Sequence, residues 1–282
     1  MARVKITIMN FSTLVTTEDL RPVADALQQQ VSGEFALAWG MDAELWVDPA
    51  DYRGVTDPRV VADTGWTLAL FDDHDALLGP SHPLNVTYAG SNGFHDSRSF
   101  GRPFGRVFIR KAIAAATPWS LTASHELLEM LANPWLNAGV RFGDYGTADG
   151  RLMIWREVCD PCGAAGYPID GIMVADFVHP AWFENHWRWR ERPFDQMRKM
   201  DLPLQLLPEG DIWVDRLTLG WTKVRNNAQL AAERALAHRT EDASAMGAST
   251  TSVVAVPVPT PPRAYEFEAK YRRKFAKKAK KK

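Results

Sequence analysis

The sequence predicts an α+β fold: a small mixed, twisted sheet carrying an N-terminal helix and a second, apolar helix near the middle of the chain. Three observations lead there. The start alternates like a strand, with Val4, Ile6 and Ile8 set against Lys5 and Thr7. Two stretches keep helical rather than alternating periodicity, one after Thr16 and one after Thr117. Short apolar runs bounded by turn formers recur on both sides of the second helix.

Taken in order, Thr16-Thr17-Glu18-Asp19 opens the first helix, whose Leu20, Val23 or Ala24, Leu27 and Val31 fall on one face; Pro22 sits early enough to be tolerated. Residues 35–39 and 44–47 read as short strands, and 66–71, strongly apolar, as a central one. The order is then β-α-β-β-β before the second helix. Residues 72–105 are mostly turn formers and contain His74, His82 and His95, of which His95, in Gly93-Phe94-His95-Asp96, is the one of interest. Residues 106–109 form a short strand. Beyond the second helix, Ala148-Asp149-Gly150 signals a hairpin feeding a strand at 152–158, and Asp170-Gly171 a hairpin feeding 172–178. Trp182, Phe183, Trp187 and Trp189 follow, as aromatic packing under the helix or as a wall lining a substrate site. Residues 211–221 read as a closing strand pair and 226–239 as a helix.

At 282 residues and 46% hydrophobic, the chain can bury one large core or two small ones, and no apolar run reaches membrane length. The apolar part of the first twelve residues is too short for a secretory signal peptide. Cys159 and Cys162 are the only cysteines, which excludes a disulfide scaffold and a four-cysteine zinc module; their spacing fits either a redox pair or two inert thiols. Residues 263–282 hold ten Lys and Arg against two Glu, a balance of +8, so that −9 remains for residues 1–262 of a chain whose net charge is −1. The organisation is therefore a folded region over 1–240, an Ala/Ser/Thr/Pro-rich linker over 241–262 and a basic disordered tail over 263–282 placed to contact polyanions.

The second helix carries the chemistry. Thr117 is placed to cap it, Pro118 fits its first turn, and Asn133-Pro134 supply the stop. Its core is His125-Glu126-x-x-Glu129. His125 and Glu129, four residues apart, share one face and can reach one cation; Glu126, offset by about 100° per residue, can reach a water on that cation without being a ligand. This is the geometry of the zinc-protease helix His-Glu-x-x-His with its second histidine replaced by glutamate. Glu157-Val-Cys-Asp160, on the strand at 152–158, offers a third ligand and a second carboxylate able to orient a histidine ligand through its other N–H.

Residues 124–134, 157–161 and 176–183, with Asn10-Phe-Ser-Thr-Leu and Gly93-Phe-His95, resemble a group of bacterial and phage-associated proteins with a zincin-like His-Glu-x-x-Glu signature. The resemblance spans roughly residues 4–220 and implies a zincin-like metallopeptidase fold, His125 and Glu129 as zinc ligands, Glu126 as base and Glu157 or Asp160 completing the site. Where that group carries Thr-Asp-Pro, this chain has Ala132-Asn133-Pro134, one carboxylate fewer. The expectation is a zinc-dependent metallopeptidase acting on a peptide or protein substrate, in a cytoplasmic or phage-associated setting. In it Zn2+ is held by His125, Glu129 and Glu157, with Asp160 orienting a ligand and Glu126 as general base on a metal-activated water. The alternative is a non-catalytic, metal-stabilised structural or interaction module.

Overall fold

The computed structural model describes residues 3–53, 55, 65–74, 90–97, 101–142, 152–184, 193–216 and 220–245. The expected hairpin signal at 148–150, His82, Trp187, Trp189 and the chain from 246 onward, with most of the linker and all of the basic tail, lie outside them.

The first half builds a five-stranded mixed sheet from β1 (Val4–Asn10), β2 (Ala43–Val47), β3 (Trp66–Phe71), β4 (Gly93–Asp96) and β5 (Phe104–Phe108), in the order β2-β1-β3-β5-β4. β1, β2, β3 and β5 run parallel, and β4 pairs antiparallel with β5 at one edge. β3 lies at the centre, and its alternation shows why it is apolar throughout. Leu68 and Leu70 enter the main core, whereas Ala69 and Phe71 join Met9, Phe11, Phe104 and Phe108 in a smaller cluster on the opposite face.

Helix α1 (Thr17–Gln30) crosses from β1 to β2; Thr16 caps it in a reciprocal capping box with Asp19. Its Leu20, Val23, Ala24 and Leu27 are buried, as their spacing predicts. The chain then departs from the sequence reading. Residues 35–39 are helical: a wide turn, Val31–Phe35, leads into α2 (Ala36–Trp39), which ends at left-handed Gly40. Val31, Phe35 and Trp39 repeat every fourth residue, and the helix puts them on one face against a later segment. The Phe35 ring meets Phe177 edge-on at 5.2 Å, and the Trp39 indole N–H donates to the Val178 carbonyl at 2.9 Å. A five-residue apolar run reads equally as strand or helix until such partners are known.

After β5 come a short helix α3 (Ile109–Ala114) and the central helix α4 (Trp119–Ala132), which begins at Pro118 rather than at a Thr117 side-chain cap. Helix α4 is wedged between β4 and β5 on one side and the hairpin of β8 (Gly166–Ile169) and β9 (Ile172–Ala175) on the other, so it is buried almost all round. That hairpin turns at Asp170-Gly171, both with positive φ, as the sequence predicts. A buried polar chain fixes α4 lengthwise: Ser124 Oγ donates to Gln30 Oε1 of α1 at 2.6 Å and accepts from the Ala175 amide at 2.9 Å, while Gln30 Nε2 donates to the Ala175 carbonyl at 2.8 Å. A four-stranded antiparallel sheet, ordered β11 (Thr222–Val224), β10 (Ile212–Asp215), β7 (Leu152–Trp155), β6 (Gly139–Phe142), completes the mixed α+β architecture. The last helix, α5 (Asn227–Ala245), continues past residue 240, so the first five residues assigned to the linker are helical. Trp182 is fully buried and its indole donates to the Gln205 carbonyl at 2.8 Å, which makes it packing rather than a substrate wall.

One buried carboxyl pair makes the fold pH-sensitive. Asp176, after β9, is fully buried beside Asp195, and its Oδ1 accepts from the Phe177 and Met197 amides. Burial first, and the Asp195 charge second, push its carboxyl up to about 7 from an ordinary 3.8. A value raised on folding means that the folded state holds the proton more tightly, so stability from this group is full below the ordinary value and is lost as pH rises through 7. At about 1.4 kcal/mol per unit this reaches roughly 4 kcal/mol. Asp176→Asn keeps the acceptor oxygen without the charge. Its melting temperature should exceed that of the wild type at pH 8 and the two should converge at pH 4; parallel curves over that range would contradict the assignment.

Candidate metal centre

Helix α4 delivers His125, Glu126 and Glu129, the edge strand β4 delivers His95, and the segment between β7 and the 3-10 turn Asp160–Cys162 delivers Glu157, Cys159 and Asp160. Close approach of β4 to α4 depends on Gly93. A Cβ there would stand 2.6 Å from the Arg106 carbonyl and 2.9 Å from Glu126 Cγ. The edge strand is further tied by Arg106 of β5, whose guanidinium is buried between the Phe94 and Phe104 rings and paired with Asp96 at 2.9 Å. Gly93→Ala should therefore displace either β4 or the Glu126 side chain and destabilise the fold by about 2 kcal/mol. Urea denaturation measures this, and an unchanged midpoint would show that β4 and α4 have slack.

Glu129 is the hub. Its Oε1 accepts from the Cys159 amide at 3.2 Å and the Asp160 amide at 3.1 Å. His125 Nε2 lies 3.3 Å from that same Oε1 and 3.3 Å from Asp160 Oδ1. On the inner side, His95 Nδ1 lies 3.6 Å from Glu126 Oε2 and 3.9 Å from Glu129 Oε2, and His95 Nε2 lies 3.8 Å from Glu157 Oε2. Asn133, closing α4, donates through Nδ2 to Glu157 Oε1 at 3.2 Å and accepts the Asn137 and Ala138 amides on its Oδ1. The side chains of His125 and Asp160 are 22% and 26% exposed, those of His95 and Glu129 only 4% and 6%, so the cluster is open on the His125–Asp160 side and closed on the His95 side.

Crowding of acids sets the electrostatics. Burial, followed by the charges of Glu129 and Asp160, pushes the Glu157 carboxyl well above the usual range; burial and Glu129 push Asp160 up to about 6. Burial also raises Glu126 despite the opposing pull of His95 and His125. Burial would lower both imidazoles, but the carboxylates outweigh it: Glu126 and Glu129 raise His95, and Glu129 and Asp160 raise His125 well above its ordinary value. Glu129 alone is held below the usual range, where the neighbouring histidines and the Cys159 amide overcome its burial.

Four carboxylates gathered around two imidazoles are costly to bury without a compensating cation. The spacing is also that of ligands. Donor atoms about 2.0–2.2 Å from a tetrahedral ion lie about 3.3–3.6 Å from one another, and the His125–Glu129 and His125–Asp160 separations, each 3.3 Å, fit. Charge-assisted N–H···O bonds are usually shorter, about 2.7–2.9 Å. Of the residues singled out from the sequence, His125, Glu126, Glu129, Glu157 and Asp160 all come together. One differs from its expected placement. Glu157 lies beyond the end of β7, not within a strand, because β7 stops at Trp155. Asp160 faces Nε2 of His125, the nitrogen that also faces Glu129. The sequence leaves His179, His95 and Asn133 as the next candidates for a third ligand after Glu157 and Asp160, and reads Cys159 as a redox partner or an inert thiol; of these, His95 and Asn133 both face Glu157. Cys159 is a buried free thiol with a ligand atom within 4.8 Å of those of His125 and Glu129. His179 is elsewhere, stacked on Phe177 and paired with Gln196. Compared with protein-family models, curated proteins and solved structures, the chain matches none.

Proposed function

We propose that the chain is a zinc-dependent metallopeptidase of zincin-like architecture, with His125, Glu129 and Asp160 holding the zinc. The observation that carries this reading is the placement of His125 Nε2 at 3.3 Å from both Glu129 Oε1 and Asp160 Oδ1 on the solvent-facing side of an otherwise buried acidic cluster. Structural zinc sites are closed, and catalytic ones keep a position open. When bound there, zinc supplies a Lewis acid that polarises an amide carbonyl and makes water a stronger acid.

The remaining roles belong to the chain. Glu126 follows His125 on α4, and its burial-raised carboxyl suits a general base working near neutral pH, taking the proton of the attacking water and passing it to the leaving nitrogen. Its position is set by Gly93 on one side and His95 on the other. The amides of Cys159 and Asp160 hold Glu129 in its rotamer.

The test is an assay of the zinc-reconstituted full chain against a broad peptide library and unfolded protein substrates over a pH series. Cleavage that a chelator abolishes and zinc restores is the expected result. A zinc-loaded chain that cleaves nothing at any pH would overturn the peptidase reading in favour of a metal-stabilised, non-catalytic module.

A further inference from the structure

The closed side of the cluster is not explained by one cation. His95 is 7% exposed, and its Nε2 has no hydrogen-bond partner among the described residues. The other ring nitrogen, Nδ1, faces carboxylates, 3.6 Å from Glu126 Oε2 and 3.9 Å from Glu129 Oε2, so Nε2 is the nitrogen without a partner. Nε2 is aimed at Glu157 Oε2, 3.8 Å away, and that oxygen is also buried without a partner. Asn133 holds the other oxygen of the same carboxylate at 3.2 Å. A gap of 3.8 Å is too long for a hydrogen bond, yet within the span of about 4.2 Å that two donors on one cation can reach.

Glu129 lies between the two sides. Its Oε1 faces His125 and the Asp160 amide, and its Oε2 lies 3.9 Å from His95 Nδ1, the ring nitrogen turned away from Glu157. His125, Glu129 and Cys159 bring ligand atoms within 4.8 Å of one another, as do His95, Glu126 and Glu129, and Glu129 alone belongs to both groups.

We infer that the centre is built for two divalent cations, the second held on the closed side between His95 Nε2 and Glu157 Oε2. This rests on the metal reading of the His125–Glu129–Asp160 side and adds to it a site of one imidazole and carboxylates, a donor set that takes Mn2+ or Zn2+.

The experiment is a titration of the chelator-stripped full chain with Mn2+, with bound metal counted by equilibrium dialysis and elemental analysis. The wild type should take up two equivalents. His95→Gln and Glu157→Gln should each lose the second equivalent while keeping the first; if one fails to fold, the other and the wild-type count decide. Saturation of the wild type at one equivalent would overturn the second cation while leaving the first site standing. Failure to bind any Mn2+ or Zn2+ would overturn both.

Discussion

Glu126→Gln is expected to retain full zinc content and a nearly unchanged melting temperature while hydrolysis falls by roughly 10²–10⁴-fold. The two halves of this expectation come from different observations. Glutamine occupies the same volume against Gly93 and presents the same oxygen to His95 Nδ1, now 3.6 Å from Glu126 Oε2, so packing is preserved. The zinc ligands proposed on the open side are His125, Glu129 and Asp160, so metal retention there should not depend on residue 126. What is lost is a basic carboxylate, and with it the route by which a proton leaves water. Activity that survives in Glu126→Gln would rule out this mechanism while leaving the metal centre intact.

Glu129 should produce the second large effect, and two substitutions separate its two jobs. Glu129→Ala removes a ligand and orphans the buried amides of Cys159 and Asp160, which now donate to Oε1 at 3.2 and 3.1 Å. Leaving a buried donor unsatisfied costs about 1–3 kcal/mol each, so this variant should lose zinc and also stability. Glu129→Gln keeps an acceptor oxygen for both amides but removes the charge, and should lose zinc while the metal-free protein melts near the wild-type temperature. Zinc retained at chelator-buffered concentrations in both variants would mean that the hub of the cluster lies elsewhere. Loss of the fold in Glu129→Gln would mean that the carboxylate's role is structural.

Much of this was legible in local sequence because local physics decides it. The alternation at Val4, Ile6 and Ile8, the capping box at Thr16 and Asp19, the hairpin at Asp170-Gly171 and the shared face of His125 and Glu129 all depend on near neighbours. What was not legible depends on distant partners. Residues 35–39 are helical because Phe177 and Val178 receive their aromatic face, and nothing within that run reveals those partners. The sequence marks His95 as the histidine of interest in its stretch, but it sits thirty residues before His125 among turn formers, and only antiparallel pairing of β4 with β5 carries it to the cluster. Asn133, the position where a carboxylate was expected, turns out to donate to Glu157, so an aspartate there would place a fifth acid against four. That is a consequence of tertiary contact rather than of spacing.

The central claim is that this acidic cluster is a metal centre, and elemental analysis of the purified full chain, reconstituted with zinc and dialysed against a weak chelator, tests it most directly. The account predicts at least stoichiometric zinc in the wild type, a melting temperature that rises with free zinc as mass action requires, and loss of the metal in Glu129→Gln. A wild-type chain that emerges folded and without zinc, with a melting temperature indifferent to the metal, would contradict it.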